Sequence, residues 1–528
     1  MHKPVIHELL QDAAYQHESR RVISGSHVYT YGAIYTRVVR LAERLTRLGI
    51  GPGTVIGVMD VNSHRYFELK YALSMLGAVI HTINFRLAPE DILFTIHQAH
   101  DDWIFLWEGF GPLTEKFSTS LPHCVWMGDK AEKMGDMDYE TLIAEGKEQV
   151  PDTAAKIAPS DVYSVFYTTG TTGRPKGIRY THEQMLTGSL QIAHHLALHD
   201  TGAKLSAQDV MMPLIPFFHI HGWGTPFIAP YLGASLVLPE LGGAEEHIEL
   251  IQQHHVSWSN MVPTQLFMLL EEAKKQQLDR LALKVLTGGS PLSLGLAKQA
   301  DQLGVSFSLI YGGSDQLGSA ISTVDDSGNS RRLEQLATRL TPFPMVRIEV
   351  RNDGFQRVTP DGKTLGEVWV QSPWLPEGYV NDAENTSKAF SHAWFRTGDL
   401  AVCYPDHSFR VLDRIKDAIK SGGEWIAGST IESVLSEVPG VNLVAVIAMP
   451  SDKWHERPMA VVEASHEVSQ EMLYQALNQA VVQGRLAKFW IPDTIAFIDR
   501  MPITSAGKIN KAALQASTHK YNPGEGPI

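Results

Sequence analysis

A glycine- and threonine-rich stretch at residues 167–177, with the sequence YTTGTTGRPKG, constrains this chain more than any other feature. The apolar run at residues 162–167 that leads into it is typical of a buried strand. Glycines let the main chain approach a ligand closely, and successive backbone N–H groups in such a loop form a concavity for anions. The threonine hydroxyls and Lys176 add donors and a positive charge. We therefore predict a phosphate-binding loop rather than an ordinary surface loop, although the G-x-x-x-x-G-K-[ST] spacing of a Walker loop is absent.

The composition indicates a folded protein with more than one domain. The chain has 528 residues, of which 44% are hydrophobic and 20% charged, so it can bury sizeable cores. Its formal net charge of −13 argues against general nucleic-acid binding, which requires a basic surface. Cys124 and Cys403 are too few for a disulfide framework or a thiolate metal site. Because no apolar run approaches the roughly 18 residues of a membrane span and no signal-peptide core is visible, we expect a soluble, cytoplasmic protein.

Strand-like and helix-like segments alternate along the first part of the chain. Apolar residues at positions 34, 38, 41, 45 and 48 predict an amphipathic helix, which the glycines at 49–53 end. The segments that follow are listed in order: a strand at 55–59, a helix at 66–76, a strand at 78–83, a helix that Pro89 begins, and a strand at 103–106. This alternation predicts an α/β architecture with a mainly parallel sheet, and the glycine-rich loop lies where ligands bind beyond the sheet edge.

Later apolar segments extend the same pattern, with strands predicted at 210–218, 236–238, 258–262 and 285–287. Two small-residue turns, TGGSP at 287–291 and YGGSD at 311–315, each follow a strand-like segment. Either turn would let the backbone lie against a flat or phosphorylated ligand, but each alone is also typical of an ordinary tight turn.

The last third of the chain predicts two further units. Alternating runs at 346–370, broken by Asn-Asp-Gly and Asp-Gly, favour a small antiparallel sheet. After the charged segment DRIKD at 413–417 the pattern restarts: helices are predicted near 430–438 and 470–482, and strands near 441–448 and 459–463. We therefore divide the chain into a large N-terminal domain, residues 1–414, and a smaller C-terminal domain, residues 415–528.

Five motifs in this order resemble those of the adenylate-forming superfamily, which includes acyl-CoA synthetases, luciferases and peptide-synthetase adenylation domains. They are the glycine/threonine loop, YGGSD at 311–315, TGD at 397–399, DRIKD at 413–417 and SAGK at 505–508. The resemblance covers nearly the whole chain. It implies a large α/β domain with parallel-rich sheets and a small antiparallel sheet, followed by a small, mobile α+β domain. It also implies a two-step reaction, in which a carboxylate attacks the α-phosphate of MgATP and a thiol, usually that of coenzyme A, then displaces AMP.

The same resemblance implies a role for each motif residue. Lys508 corresponds to the catalytic lysine that bridges the carboxylate and the phosphate, and Lys416 to the hinge of the mobile domain. Thr168 and Asp315 correspond to the Mg²⁺ contacts, and Gly422 and Gly423 to the passage for coenzyme A. The residues implied to bind ATP are Thr168, Thr169, Gly170, Thr171, Thr172, Gly173, Lys176, Gly289, Ser290, Pro291, Tyr311, Gly312, Gly313, Ser314, Asp399, Arg414, Lys416, Lys420 and Trp425.

Two positions depart from the family pattern. The family usually has Thr-Glu where this chain has Ser314 and Asp315, and Ala506 stands where threonine is common. Aspartate keeps the charge but is one methylene shorter, so a bridging water is an alternative to direct Mg²⁺ contact. Serine keeps the hydroxyl.

The segment FFHIHGWG at 217–224 resembles bacterial fatty-acyl-CoA synthetases, as do HTINFRL at 81–87, KSGGEWI at 420–426 and WHERP at 454–458. The resemblance implies that His219 acts in catalysis and that His219, Trp223 and Gly289 contact the acid, with the tryptophan gating an acyl tunnel. Strand packing is an alternative for His219 and His221, and a metal pair is another, although no third ligand is nearby. We expect an ATP-dependent acyl-CoA ligase for a fatty or other alkyl acid.

Other functions stay open at this point. The acid could be a short thioether acid, such as methylmercaptopropionate, or an aryl acid. Transfer of an aryl or amino acid to a carrier protein is a second possibility, but enzymes for amino acids generally place an early aspartate in the acid pocket, and the segment around His219 has none. A nucleotide-binding homologue without catalysis is a third, because Asp315 replaces glutamate. We also expect a homodimer, as occurs in the fatty-acyl branch.

Overall fold

The chain folds into four β-sheets and the helices packed against them, in a computed structural model. The structure describes residues 4–115, 117, 121–131, 137–168, 174–324, 332–422, 424–504 and 507–517. The helices are α1 (Ile6–Gln16), α2 (Tyr31–Arg47), α3 (His64–Leu76), α4 (Pro89–Ala99), α5 (Gly111–Thr114), α6 (Tyr139–Glu145), α7 (His182–Leu198), α8 (Ile220–Trp223), α9 (Thr225–Leu232), α10 (Ala244–His254), α11 (Pro263–Lys275), α12 (Leu294–Gln302), α13 (Arg332–Thr338), α14 (Ala383–Ala389), α15 (Gly428–Leu435), α16 (Gln470–Val482) and α17 (Lys511–Ala516).

The strands alternate with these helices in the first two thirds of the chain and predominate after it. They are β1 (Arg21–Ser24), β2 (His27–Thr30), β3 (Val55–Met59), β4 (Val79–Thr82), β5 (Trp103–Trp107), β6 (His123–Met127), β7 (Val162–Thr168), β8 (Lys176–Thr181), β9 (Val210–Pro213), β10 (Ser235–Leu238), β11 (Trp258–Met261), β12 (Lys284–Gly288), β13 (Ser306–Gly313), β14 (Leu317–Ile321), β15 (Thr341–Pro342), β16 (Arg347–Arg351), β17 (Gly366–Gln371), β18 (Phe390–Ser391), β19 (Trp394–Cys403), β20 (Phe409–Arg414), β21 (Ile419–Ser421), β22 (Glu424–Ile426), β23 (Val441–Ser451), β24 (His455–Ala464) and β25 (Thr494–Phe497).

Two large sheets are mostly parallel, as the sequence predicts. One has nine strands in the order β15-β14-β13-β12-β11-β9-β10-β1-β2, and the six strands from β13 to β1 are parallel to one another. The other has six strands in the order β6-β5-β3-β4-β7-β8, and only β8 is antiparallel. Because parallel strands end at the same edge, the loops after β7, β12 and β13 are where such folds place ligands.

Two smaller sheets follow, and both are largely antiparallel. Strands β16, β17, β18, β19 and β20 form one, which confirms the small antiparallel sheet predicted between residues 346 and 370. Strands β21 to β25 form the other, around a separate apolar core that includes Ile431, Val446 and Leu473. The predicted boundary at residues 414 and 415 stays a prediction. A bilayer-spanning helix does not occur in the part of the chain that the structure describes.

Local sequence explains where several elements begin and end. The Thr30 hydroxyl accepts a hydrogen bond from Ala33 N and so caps α2, and Pro89 occupies the first turn of α4. The predicted strand at 55–59 and helix at 470–482 coincide with β3 and α16. The strand predicted at 210–218 is wrong beyond Pro213, where β9 ends. Proline has no N–H for a sheet ladder, and this segment contains Pro213 and Pro216.

The chain after β9 forms a left-handed turn, which contains α8. Ile220, His221, Gly222, Trp223 and Gly224 have φ angles of 44°, 42°, 57°, 52° and 79°. Left-handed conformation costs about 1–2 kcal/mol for each residue other than glycine, so tertiary contacts must hold this turn in place.

A buried ion-pair network joins α2, α3 and α6. The Glu68 carboxylate is fully buried and accepts hydrogen bonds from Arg37 Nε at 2.6 Å and the Tyr139 hydroxyl at 2.8 Å. The same guanidinium also binds Glu140 at 2.8 Å. Arg37 therefore neutralises a carboxylate that water does not reach.

We predict that Arg37→Met lowers the free energy of unfolding by about 3–5 kcal/mol, because the variant leaves Glu68 buried without its cation. The matched control is Arg357→Met, which removes an arginine that pairs with Glu349 but is 76% exposed and should change stability by less than about 0.5 kcal/mol. Urea unfolding midpoints compare the two variants. Equal midpoints would contradict the assigned role of Arg37.

Candidate active site

The site lies at the ends of neighbouring parallel strands. Gly289 follows β12 and has a φ of 81°, a conformation that favours glycine. Tyr311, Gly312 and Gly313 end β13, the next strand of the same sheet. The two small-residue turns predicted to bind a ligand therefore lie side by side.

The antiparallel sheet brings a carboxylate and an arginine to the Tyr311 side chain. Asp399 on β19 lies directly opposite Arg414 on β20, and Arg414 Nε is 2.7 Å from Asp399 Oδ1. The Tyr311 hydroxyl donates to Asp399 Oδ2 at 2.6 Å. Both carboxylate oxygens thus have fixed partners, and the carboxylate is almost fully buried.

Lys508 reaches this cluster from the C-terminal region. A Cβ atom at Gly289 would lie 3.3 Å from Lys508 Cε, so a larger residue at this position would crowd the lysine side chain. The Thr264 hydroxyl donates a hydrogen bond to the carbonyl of Gly507, which precedes Lys508. A tight turn also holds the backbone of Lys508. Lys508 N donates to Thr504 Oγ1 at 3.2 Å, and Thr504 N donates to Lys508 O at 2.7 Å.

The charges around Lys508 define an electropositive region. Burial and the nearby Arg414 guanidinium lower the pKa of Lys508 to about 8, although Asp399 opposes the change. Lys416 also lowers the Lys508 pKa. The pKa of His219 falls to about 4, because this imidazole is buried and lies near Lys508 and Arg86. His219 is therefore neutral at physiological pH.

A second cluster surrounds Asp315. Burial raises the pKa of this carboxyl, while a hydrogen bond from Tyr379 and the charges of Arg414 and Lys176 oppose the rise. The Lys176 ammonium lies 4.9 Å from the centre of the Tyr379 ring. Arg414 interacts with Asp315 and Asp399 and so links the two clusters.

Neighbouring contacts place Ser314 and Thr168 beside the same cluster. The Tyr180 hydroxyl donates to the carbonyl of Ser314 at 2.9 Å. Thr168 ends β7 opposite Lys176 on β8. Ser290 and Pro291 continue the turn after Gly289 and are at least partly exposed. Five predicted phosphate-loop residues, Thr169, Gly170, Thr171, Thr172 and Gly173, lie outside the described residues.

Residues that were predicted to bind ATP or coenzyme A lie together on the C-terminal sheet. Lys420 and Trp425 are opposite each other in the β21–β22 hairpin, and Lys420 Nζ lies 5.3 Å from the centre of the Trp425 ring. Gly422 has a φ of 61°, and its N–H donates to Trp454 O at 2.9 Å. Gly423, predicted to pass coenzyme A, lies outside the described residues.

Of the three residues predicted to contact the acid, Trp223 lies in the left-handed turn, His219 lies next to it, and Gly289 follows β12. His219 precedes the turn, and the Trp223 side chain within the turn is buried. Neither His219 nor Trp223 lies in a strand, so the alternative of strand packing for His219 is wrong. The metal alternative is not tested: no group of three or more His, Cys, Asp or Glu side chains that could hold a metal ion occurs among the described residues, and a pair stays open.

Two residues with direct roles in this geometry were absent from the sequence prediction. Tyr379 holds Asp315, and Thr264 holds the Lys508 turn. Each is a single side chain without a local motif, and each acts across a long sequence separation. The sequence feature that could have indicated Tyr379 is the Gly378-Tyr379 pair shortly before α14.

The arrangement suits a bound polyanion. Arg414, Lys416 and Lys508 lie near one another and near the buried Asp399 carboxylate. Preorganised cations stabilise negative charge that develops during a reaction. The Thr168 hydroxyl and the Asp315 carboxylate also offer the oxygen ligands that a hard divalent cation requires, and so the donor set fits Mg²⁺.

We predict that Thr264→Val loosens the Lys508 turn, because the variant keeps the side-chain volume but loses the donor to Gly507. Loss of one net hydrogen bond of about 1 kcal/mol corresponds to roughly fivefold faster amide hydrogen exchange at residues 507–512. Thr338→Val is the matched control, since the Thr338 hydroxyl donates to Glu334 O within its own helix. Unchanged exchange in Thr264→Val would show that this contact does not hold the turn.

Comparison with known proteins agrees with this geometry. A family model described as AMP-binding enzyme matches residues 10–380, and one described as AMP-binding enzyme C-terminal domain matches residues 430–508. The long-chain-fatty-acid–CoA ligase of Thermus thermophilus is 34% identical, with the alignment covering 98% of this chain and 96% of that protein. The 3-methylmercaptopropionyl-CoA ligase of Ruegeria pomeroyi is 31% identical, with the alignment covering 98% of this chain and 97% of that protein.

A solved structure shows the same fold. The anthranilate CoA ligase in complex with anthranoyl-AMP superposes with a TM-score of 0.85 over 97% of each chain, at 21% sequence identity. The family matches cover most of this chain, and the curated relatives align along nearly its whole length. This chain therefore belongs to the AMP-binding enzyme family of adenylate-forming enzymes, and it is an acid–thiol ligase.

Proposed function

We propose that this chain is an AMP-forming acyl-CoA ligase that activates an alkyl carboxylic acid, most simply a fatty acid. The observation that carries the proposal is the position of Lys508, which lies against Gly289 in a region shared with Asp399 and Arg414. A lysine held there is placed to act on a nucleotide and an acid together.

In the first half-reaction, a carboxylate oxygen of the acid attacks the α-phosphorus of ATP. The new acyl–oxygen–phosphorus linkage forms as the bond to pyrophosphate breaks. Both reactants are anions, so the cation of Lys508 offsets their repulsion and stabilises the charge that develops between them. His219, which is neutral, lies close enough to Lys508 to contact the acid without adding to the positive charge.

The nucleotide is assigned to the turns at the strand ends. Gly289, Ser290 and Pro291 would flank one side of the adenine, and Tyr311, Gly312 and Gly313 the other, with Ser314 near the α-phosphate. The loop from Thr168 to Gly173, with Lys176, would hold the β- and γ-phosphates.

The ribose is assigned to Asp399 and Arg414. Asp399 already accepts from Tyr311 and Arg414, but an ionised carboxylate has about four acceptor positions and can also accept from ribose hydroxyls.

Thr168 and Asp315 would hold Mg²⁺, which supplies charge neutralisation at the phosphates when bound. Tyr379 fixes the orientation of the Asp315 carboxylate through its hydrogen bond. The orientation of Asp315 matters for binding Mg²⁺, because the aspartate side chain is one methylene shorter than the glutamate usual in the family. Asp315 would bind the ion either directly or through a water molecule.

In the second half-reaction, the thiolate of coenzyme A attacks the acyl carbonyl and AMP leaves. Gly422 and Gly423 are assigned to the path of the pantetheine arm, and Lys420 and Trp425 to the nucleotide. Lys416 is assigned to the hinge about which residues 415–528 turn between the two half-reactions. Turning would withdraw Lys508 and bring Gly422 towards the acyl group.

The acid-binding segment favours an apolar acid. Phe217, Trp223, Phe227 and Ile228 around the left-handed turn are buried. An alkyl chain matches these side chains better than an ammonium group, which supports a fatty acid over an amino acid. A short thioether acid is the second candidate, because the 3-methylmercaptopropionyl-CoA ligase of Ruegeria pomeroyi aligns along nearly the whole chain.

The proposed activity is tested with a panel of acids. We expect exchange of labelled pyrophosphate into ATP that depends on an alkyl acid, and thioester formation only when coenzyme A is added. The panel contains saturated acids of increasing length, methylmercaptopropionate, benzoate and amino acids. Tight ATP binding without exchange for every acid would instead support a nucleotide-binding homologue without catalysis.

We predict that Lys508→Ala lowers the rate of adenylation by about 100- to 1,000-fold, because the variant removes one preorganised charge. Thioester formation from supplied acyl-adenylate should be much less affected, since Lys508 would be withdrawn in that step. Lys488→Ala, an exposed lysine of the same domain, is the control and should stay within twofold. Equal losses in both half-reactions would contradict the assignment.

The pH dependence of adenylation gives a second test of the role of Lys508. The pKa of Lys508 is lowered to about 8, so the side chain is charged below this pH and loses its charge above it. The kcat/KM for adenylation, which reports the free enzyme, should therefore fall above pH 8 in the wild type. Lys508→Arg keeps its charge at alkaline pH and should lack this decline, whatever its absolute rate. A decline of the same shape in Lys508→Arg would assign it to another group.

A further inference from the structure

A fully buried lysine lies outside the proposed catalytic cluster, and among the described residues it has no acidic partner. Lys70 lies on α3 and its exposed surface is 0%. The structure shows no ion pair to Lys70 within the described residues. Burial lowers the pKa of this amine well below its ordinary value. Because methionine would fill nearly the same volume without burying an amine, packing alone does not account for a lysine here.

The Lys70 amine instead contacts residues 217–224, the segment proposed to bind the acid. Lys70 Nζ lies 2.9 Å from Nδ1 of His221, and it faces the Tyr66 and Phe217 rings at 4.3 Å and 5.1 Å from their centres. In either protonation state the amine has an N–H to donate. When the amine donates, His221 Nδ1 accepts and the ring proton is on Nε2; a neutral amine can instead accept from Nδ1–H. His221 Nε2 has no hydrogen-bond partner among the described residues, so Lys70 provides the polar contact of this imidazole.

His221 is at the centre of the left-handed turn. Its φ is 42°, and Ile220 and Trp223 are also at positive φ. The side chains of Asn260 and Thr225 both donate to the carbonyl of Gly222, at 2.9 Å each, and thus hold the backbone. Lys70 holds a side chain within the same turn.

Helix α3 supports the segment at a second point. The Tyr71 hydroxyl donates to the carbonyl of Pro226 at 2.5 Å, just after the turn. Adjacent residues of one buried helix thus bind His221 and Pro226. The helix acts as a rigid support for a strained segment, and rotation of the turn would break the contact of Lys70.

We propose that Lys70 is a positioning residue for the acid: through His221 it fixes the left-handed turn, and so sets where His219 and Trp223 face the substrate. This inference rests on the proposed function of these two residues. It assigns Lys70 no contact with the acid and no step in the chemistry.

The test is Lys70→Met in the full-length enzyme, with the KM values for the acid and for MgATP measured separately. We expect the KM for the acid to rise about tenfold, because one positioning hydrogen bond to a polar ring is lost, while the KM for MgATP stays within twofold. The variant should also discriminate less between acids of different chain length. A purely structural role would lower the active fraction and leave both KM values unchanged, and that result would overturn the proposal.

A double-mutant cycle with His221→Phe makes the test specific. If Lys70 acts through His221, the double variant should be no worse than either single variant, whereas additive effects on the KM for the acid would overturn the proposal. Lys388→Met, which removes a lysine that is 65% exposed and pairs with Glu384, is the matched control and should leave both constants unchanged.

A structural readout separates this inference from the proposed function. Amide hydrogen exchange at residues 217–226 should be faster in Lys70→Met than in the wild type without any substrate, and exchange at residues 507–512 should not change. This result would support the positioning role even if no acid in the panel were a substrate. Unchanged exchange at residues 217–226 would overturn it, whereas a failed panel alone would reject only the proposed function.

Discussion

The crowding of positive charge around Asp399 is the constraint on which the site depends. Arg414, Lys416 and Lys508 converge on this one carboxylate, and their mutual repulsion adds to the burial that lowers the pKa of Lys508. The protein as a whole carries a formal charge of −13, so this local excess does not reflect its composition. A polyanion placed among these groups relieves the repulsion, and the same anion favours the charged form of the lysine.

The fold delivers these charges from distant parts of the chain. Adjacent parallel strands supply Gly289 and Tyr311, an antiparallel sheet supplies Asp399 and Arg414, and a turn near the C-terminus supplies Lys508. Each group is on an element with its own core or its own hydrogen bonds. The site therefore does not rely on one flexible loop to assemble its cations.

Much of the fold could be predicted from the sequence, because periodicity and turn residues are local. The spacing of apolar residues predicts α2 and β3, and the SAGK motif singles out Lys508. The left-handed turn could not be predicted, since Ile220 locally disfavours positive φ and contacts from Asn260 and Lys70 hold the turn. Lys70 could not be predicted for a related reason: every residue of α3 is buried, polar residues included, so the sequence does not show that this lysine differs from one on an exposed face.

The nine-stranded sheet has a consequence for the order in which the chain folds during synthesis. Its strand β1, residues 21–24, pairs with β10, residues 235–238, which the ribosome makes about 210 residues later. At about 5–20 residues per second the nascent β1–β2 pair waits roughly 10–40 s for that partner. Over the same interval β3 to β8 can assemble into the six-stranded sheet. Until β10 is made, β1 thus keeps an unpaired edge, which can pair with the wrong strand.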